Sequence, residues 1–520
     1  MIQTHSDSKN HADAQGGPHT TGFPDGEAPN TSPEWFQTEH LEADLVRRSV
    51  RGGAATVTAQ VINFALHTGS TMILARLLTP ADFGLVAMVA AFTGFAMLFR
   101  DPGLSVATMQ RAEINQVQVS TLFWANFAFS VAVMTLAVIL APAVAWFYGE
   151  PRLTWITICI AVTFVFGGLA AQHTALLRRQ MRFTGLAIVQ ILSLAAGLIV
   201  GVCLAWYGAG YWALVAIPAM QSLTNMVLVW VVVPWRPGRP SVGKEVREMV
   251  RFGGNLTGFN CMNYLTRNVD NALIGAVWGA GPLGIYSRAY ALLLFPLQQV
   301  NWPLGSVAVT TLSRLQNNPT QYRRVYCRII QLIAYLTMPL VVLLAILSDE
   351  IILIVLGDQW SEAAVIFRIL AFWALLLPLV GALGWLLTSL GRTRRMFKLG
   401  VITSTCAIVS FVLGLPWGPV GVAIAATICF SILAVPSMMY ALDKTPVSLR
   451  QFWAAISRPV VLSTLVGATG FAVYQLTASL HPVATVAIVV LAAMAAAACT
   501  FVFWRSIRED ARLILSLAYK

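Results

Sequence analysis

From residue 50 almost to the end, apolar stretches follow one another with little between them. A membrane-crossing helix needs roughly 20 mostly apolar residues. Breaking the pattern at charged residues, prolines and glycines predicts about fourteen such helices. They lie near 54–75, 81–99, 120–147, 154–175, 184–206, 211–233, 253–278, 285–311, 329–356, 362–390, 397–415, 419–441, 455–477 and 482–504. Polar residues interrupt the seventh and tenth. The fold class is an all-α polytopic membrane protein, and an even number of crossings puts both termini on one side.

Residues 1–46 break the pattern. They carry Asp7, Asp13, Asp25, Glu27, Glu34, Glu39, Glu42 and Asp44 against a single base, Lys9, and show no apolar period. Such a segment buries too little to order itself and reads as a solvated, disordered tail. It lacks the basic and apolar regions of a signal peptide. Its histidines, His5, His11, His19 and His40, include no close pair that suggests a metal site.

Composition agrees: 57% of residues are hydrophobic and 11% charged, with mean hydropathy +0.71, against about 45–50% and 25% in soluble domains. A soluble enzyme, a disordered scaffold and a fibrous repeat are excluded. The net charge of +12 is odd for so apolar a chain until its positions are read. Lys and Arg favour cytoplasmic loops. They occur at Arg47, Arg48 and Arg51, and in the even-numbered connections, as at Arg178, Arg179 and Arg182 or at Arg392, Arg394, Arg395 and Lys398. They recur in the C-terminal tail at Arg505, Arg508, Arg512 and Lys520. The odd connections hold at most Arg76 and Arg152, and the one after the ninth helix is acidic, with Asp349, Glu350, Asp358 and Glu362. The charge thus records topology, with both termini cytoplasmic, and does not signal nucleic acid. The seven cysteines are dispersed and read as small packing residues without disulfide or metal spacing.

The chain also resembles itself. At an offset of 200, Gly53, Asn63, Leu74, Gly84 and Leu85 meet Gly253, Asn263, Ile274, Gly284 and Ile285. Further on, Met181 and Gly185 match Met396 and Gly400, and Gly208 and Ala213 match Gly418 and Ala423. Six helices therefore repeat as six, related by a pseudo-two-fold axis along the membrane normal, with two left over. Transporters built from repeats hold substrate between the halves and rock one against the other. The expected organisation is a tail (1–46), an N-lobe (47–234), a cytoplasmic linker (235–252), a C-lobe (253–444), two added helices (445–504) and a cytoplasmic tail (505–520).

After the first helix the chain reads Leu74-Ala75-Arg76-Leu77-Leu78-Thr79-Pro80-Ala81-Asp82-Phe83-Gly84-Leu85. This turn resembles the signature of Wzx-type polysaccharide exporters in the multidrug/oligosaccharidyl-lipid/polysaccharide superfamily, and most of all their exopolysaccharide and colanic-acid branch. The resemblance covers essentially residues 47–510. It implies alternating-access flipping of an undecaprenyl-diphosphate-linked oligosaccharide across the bacterial inner membrane for exopolysaccharide or lipopolysaccharide synthesis. It implies no enzyme activity and no cofactor, and it suggests a polysaccharide polymerase and glycosyltransferases as partners. The turn has its own physics: Thr79 suits an N-cap, Pro80 the first helical position, and Asp82 the reciprocal place of a capping box.

Charged and polar groups at membrane depth are costly and usually face an interior cavity. In the seventh helix Asn260, Asn263, Arg267 and Asn271 recur at spacings of three and four and share a face. Arg267 reads as a diphosphate ligand because a guanidinium fork holds phosphate oxygens in pairs. The alternative is a helix–helix packing contact in which Asp270, three residues on, neutralises Arg267. In the first helix Asn63 and His67 share a face, and Arg76 lies near the outer end, where it could simply snorkel. Arg288 and Arg368 are further cavity candidates, or headgroup-boundary residues. Asp270 and His67 are candidates for ion or proton coupling. His173, Gln190, Gln221 and Asn225 are expected to be inter-helix hydrogen bonds. A drug exporter of the same superfamily is the nearest alternative function. A membrane-embedded polymerase or glycosyltransferase is weaker, since Asp-x-Asp, a phosphate-binding Gly loop with Lys, and HExxH are all missing.

Overall fold

The computed structural model describes residues 35–36, 45–97, 104–110, 114–240, 264, 268–477 and 479–503. Regular structure among them is helical throughout. The first half runs α1 (Leu45–Leu77), α2 (Pro80–Met97), a short α3 (Leu104–Gln110), α4 (Gln116–Tyr148), α5 (Arg152–Arg179), α6 (Phe183–Trp206) and α7 (Tyr211–Val232). Helical residues 268–278 form α8. Then come α9 (Ala280–Arg314), α10 (Pro319–Ile346), α11 (Ser348–Val355), α12 (Ser361–Ala374), α13 (Leu377–Ser389), α14 (Thr393–Gly414), α15 (Gly418–Leu442), α16 (Leu449–Thr477) and α17 (Pro482–Phe503).

Local chemistry sets the boundaries. Thr79 donates from its backbone N–H (2.9 Å) and its hydroxyl (2.7 Å) to the Asp82 carboxylate, while the Asp82 N–H points back at Thr79 Oγ1 (3.4 Å). Asp82 is thereby committed to starting α2. Asn115 and Gln118 make a second capping box before α4, which ends at Gly149 with φ 65°. The expected ninth helix, 329–356, differs: α10 begins at Pro319, and the chain breaks at Leu347 before α11. The cause is the polar Ser348-Asp349-Glu350 run, whose two carboxylates occupy the first turn of α11, where they suit the helix dipole. The tenth expected helix is the pair α12–α13, bent by 41° at a break followed by Pro378, as proline dictates.

Nine stretches among the described residues are long and apolar enough to cross a membrane, and the bent pair makes a tenth. One of the nine, Thr393–Leu442, contains α14 and α15, which pack side by side and so cross twice. Large apolar side chains face outward, among them Ile139, Ile199, Val231, Phe372, Leu413 and Leu491, each more than half exposed. Water would not tolerate such a surface, but lipid requires it. Trp146, Trp155, Trp206, Tyr207 and Trp417 are exposed near helix ends, all at the end of the bundle opposite the start of α1, as an interfacial aromatic belt would be.

In the first half α4 packs on α5, α6 on α7 and on α1; in the second, α14 packs on α15 and α9 on α12 and α13. The leftover helices α16 and α17 pair together, with α16 against α10. The halves meet where α2 crosses α9. A Cβ on Gly84 would land on the Ala280 carbonyl, and a Cβ on Gly284 on the Pro80 carbonyl. These four positions are partners at the offset of 200, so the contact has the reciprocity of an isologous interface. Beside it, the Trp360 indole donates to the Ala75 carbonyl (2.9 Å), Gln359 donates to the Leu78 carbonyl (3.1 Å), and Phe83 meets Trp360 edge-on at 5.2 Å. This end of the bundle is sewn shut across the two halves.

The expectation of a wholly solvated tail does not hold at Trp35–Phe36. Trp35 is 5% exposed and packs among Ile114, Leu177 and Trp235. The Arg182 guanidinium lies 4.5 Å from its ring centroid, and Arg179 donates to the Phe36 carbonyl (3.3 Å). An aromatic pair between acidic residues found an apolar seat flanked by cations, which net composition alone does not disclose.

Candidate functional site

Polar side chains at membrane depth gather at three openings. The first, of about 710 Å³, lies inside the first half. Asn63 and His67 of α1, Thr174 and Arg178 of α5, Gln190 and Ser193 of α6, and Gln221, Ser222 and Asn225 of α7 line it. The helical period makes this possible: Asn63 and His67 are four apart, as are Gln221 and Asn225, so each pair points one way. The second opening, of about 960 Å³, lies in the second half and is aromatic, with Tyr286, Tyr290, Trp373, Trp385, Phe411 and Phe430 around Asn268, Asp270, Gln298 and Asn301. The third is a small pocket of about 150 Å³ between α1, α9 and the end of α11, holding His67, Thr68, Thr71 and Arg288. His67 borders both this pocket and the first cavity.

Arg288 is the cation of that pocket. Its guanidinium lies 5.0 Å from the Phe83 ring centroid, and its Nε is buried without a hydrogen-bond acceptor. No carboxylate pairs with it among the described residues. A buried guanidinium at membrane depth is expensive unless an anion neutralises it, and the described residues supply none. Asp270 is the matching acid of the aromatic cavity and is 4% exposed. Its carboxylate accepts the Tyr286 hydroxyl (2.9 Å) and the Asn271 N–H (2.8 Å). The Asn271 side-chain oxygen is buried without a hydrogen bond.

The other candidates divide. Asn63 lines the first cavity and keeps a buried, unbonded oxygen. Asn260, Asn263 and Arg267 lie outside the described residues, and with them the expected Arg267–Asp270 pair. Arg76 and Arg368 border none of the three openings. Arg76 donates to the Ile354 carbonyl (2.9 Å) at the end of α11, and Arg368 binds Ser348 Oγ (2.9 Å) and the Asp349 carboxylate. Both tie helix ends together because acceptors of the acidic segment 349–362 fold against them. His173 is an inter-helix contact as expected, stacked on Trp230 at 4.5 Å with Nε2 3.3 Å from the Trp235 carbonyl. Gln190, Gln221 and Asn225 are not: they face the first cavity. Their signal was the four-residue spacing of Gln221 and Asn225 in an apolar helix. The ring of aromatic side chains around Asp270 comes from five separate helices and had no such signal.

Three comparisons place this geometry. The family described as polysaccharide biosynthesis protein matches residues 73–365. The lipopolysaccharide biosynthesis protein WzxC of Escherichia coli (strain K12) is 23% identical, over 81% of this chain and 86% of its own length. The teichuronic acid biosynthesis protein TuaB of Bacillus subtilis (strain 168) is 25% identical over 65% and 69%, and the succinoglycan biosynthesis transport protein ExoT of Rhizobium meliloti (strain 1021) 25% over 64% and 67%. Among solved structures, the lipid II flippase MurJ in an inward closed conformation superposes with a TM-score of 0.70 at 13% identity, covering 88% of this chain and 99% of that one. That likeness concerns the fold, and it is the fold of a multi-pass membrane transporter. With the family matched across more than half its length, from the turn before α2 into α12, the chain belongs to the polysaccharide biosynthesis protein family.

Proposed function

We propose that this protein flips an undecaprenyl-diphosphate-linked oligosaccharide from the inner to the outer leaflet of the cytoplasmic membrane and catalyses no covalent step. The relatives' roles in lipopolysaccharide, teichuronic acid and succinoglycan synthesis support a glycan carrier lipid as substrate. The observation that carries the reading is Arg288, a buried guanidinium with no acidic partner among the described residues, at the junction of the two halves. A diphosphate supplies the missing charge, and a guanidinium fork meets its oxygens in pairs. Arg267, in the seventh helix expected from the sequence, is a second candidate for the same headgroup, with Asn260, Asn263 and Asn271 at helical spacing from it.

In this reading twelve of fourteen helices form an N-lobe (47–234) and a C-lobe (253–444) that rock about the α2–α9 crossing, two more follow at 445–504, and both termini are cytoplasmic. The resting state is sealed at the outer end, where Trp360 and the two glycines meet. No ATP-binding part is needed. The substrate diphosphate carries negative charge outward from a negative cytoplasm, so the membrane potential favours export by about 2.3 kcal/mol per charge per 100 mV. Asp270 and His67 are the candidates for an additional coupled ion or proton. A polymerase and glycosyltransferases would work before and after the flip.

The test is genetic and biochemical together. Deleting the gene should leave lipid-linked oligosaccharide in the inner leaflet and stop polymer export. Arg288→Ala and Arg267→Ala should abolish polymer at wild-type protein level, and the lysine variants should retain part of it. Normal polymer from both alanine variants would sink the diphosphate site. The aromatic cavity around Asp270 favours a second reading, since aromatic faces attract organic cations. Normal polymer export with new sensitivity to cationic drugs in the deletion strain would establish that reading instead.

A further inference from the structure

We infer that the cavity inside the first half is a sugar-reading site, in which Asn63, Gln190, Gln221 and Asn225 select the sugar residues next to the diphosphate. The inference rests on the flippase reading above and assigns to the glycan a place separate from the anion site at Arg288.

The chemistry of the wall is the argument. Among the described residues its polar members are almost all neutral amides and hydroxyls, with Arg178 as the one formal charge and no carboxylate. A wall meant for a phosphate would be cationic, since phosphate oxygens only accept. A wall meant for an organic cation would be acidic or aromatic, as the cavity of the second half is. A sugar hydroxyl both donates and accepts, and an amide side chain offers both functions in one plane. The volume, about 710 Å³, falls in the range of about 300–1,000 Å³ that small-ligand sites occupy.

The amides are also left waiting. The Asn63 oxygen is buried without a partner, and no hydrogen bond joins Gln190, Gln221 or Asn225 to another described residue. Glue between packed segments would show the opposite, as His173 of α5 does with the Trp235 carbonyl just past α7. Polar groups at membrane depth without partners cost free energy until a ligand or water satisfies them.

Position completes the case. The first sugar is bonded directly to the diphosphate, so its site must adjoin the anion site. His67 borders both the Arg288 pocket and the amide cavity. An anion held at Arg288 therefore presents its attached sugar to Asn63 and, beyond it, to the α7 pair Gln221 and Asn225. Sites built to hydrogen-bond a hydroxyl reject analogues that lack it strongly, so this wall would decide which glycan is flipped while the cation accepts any carrier diphosphate.

The test uses the full-length protein in lipid nanodiscs with two probes. One is undecaprenyl diphosphate alone; the other is the glycolipid that accumulates in the deletion strain. Binding is read by native mass spectrometry. Wild type should prefer the glycolipid by about tenfold or more, which a few net hydrogen bonds supply. Gln221→Met and Asn225→Leu, matched in size, should each cut that preference about fivefold and leave undecaprenyl diphosphate binding unchanged. Ser222→Ala, which removes only a hydroxyl, should cut it less and guards against a folding defect in the larger changes. A preference that survives all three substitutions, or an equal loss for both probes, overturns the inference while leaving the flippase reading intact. Wild-type protein that binds neither probe overturns that reading and this one with it.

Discussion

The α2–α9 crossing offers a sharp test of how the two halves meet. Replacing Gly84 by Ala puts a methyl onto the Ala280 carbonyl; replacing Gly284 by Ala puts one onto the Pro80 carbonyl. Both obstacles are backbone, so neither can swing aside as a flexible side chain would. The helices must part until carbon and oxygen regain van der Waals separation, and overpacking of this kind costs about 1–3 kcal/mol. The cost falls on the closed end of the bundle. If that end must open during transport, the same energy favours the open state by about 5–150-fold. Ser287, 9% exposed one turn beyond the crossing, can report it. In a background lacking the seven native cysteines, Ser287→Cys should resist a membrane-impermeant thiol reagent in the parent protein and react in either glycine variant. The reciprocity of the contact adds a stricter demand. The two substitutions should have similar effects, and together less than the sum, because both push one pair of helices apart. A silent Gly84→Ala beside a severe Gly284→Ala would refute the symmetric crossing.

Three further outcomes follow from single contacts. Tyr286→Phe removes the hydroxyl that donates to the buried Asp270 carboxylate and should destabilise by about 1.5–3 kcal/mol, read as a lower Tm in detergent; an unchanged Tm would mean that this bond does not form. Thr79→Ala breaks the capping box that starts α2 and should cost about 0.5–2 kcal/mol, with Thr79→Ser restoring most of it in the same melt. Trp35→Ala empties the seat among Ile114, Leu177 and Trp235, a loss of about 3–5 kcal/mol for a buried Trp. Limited proteolysis should then cut the N-terminal segment faster while the helical bundle stays intact, and equal cutting rates would show that the seat does not hold the segment.

What could be read from the chain, and what could not, follows from how each feature is specified. The bilayer dictates helix length and apolar content, so the helices were legible, and the breaks inside the ninth and tenth were signalled by Ser348-Asp349-Glu350 and Pro378. The Gly84–Gly284 contact was legible as a matched offset because a repeat preserves position even when identity fades. Pairing across hundreds of residues was not. Arg76 meets the Ile354 carbonyl, a backbone acceptor that every residue offers and no pattern marks. Arg368 was the more readable case. The only strongly acidic connection lies just before it, and an unmatched acid cluster beside an intramembrane arginine argues for local neutralisation over a ligand site; Asp349 provides it. That rule, applied in reverse, isolates Arg288. Its nearest neighbours along the chain, Tyr286, Ser287, Ala289 and Tyr290, bring no acid, and folding supplies none among the described residues. The amide cavity escaped for a different reason. Gln221 looks the same in sequence whether it bonds a neighbouring helix or faces a void. The difference lies in the packing of α6 on α7, where Gly197 brings the backbones into contact at Ile217 and Gln221. Gln221 stands at the edge of that approach, its backbone N and Cβ against Gly197, and it and Asn225, one turn on, border the cavity, so the close packing that a glycine permits also sets where the two amides meet open space.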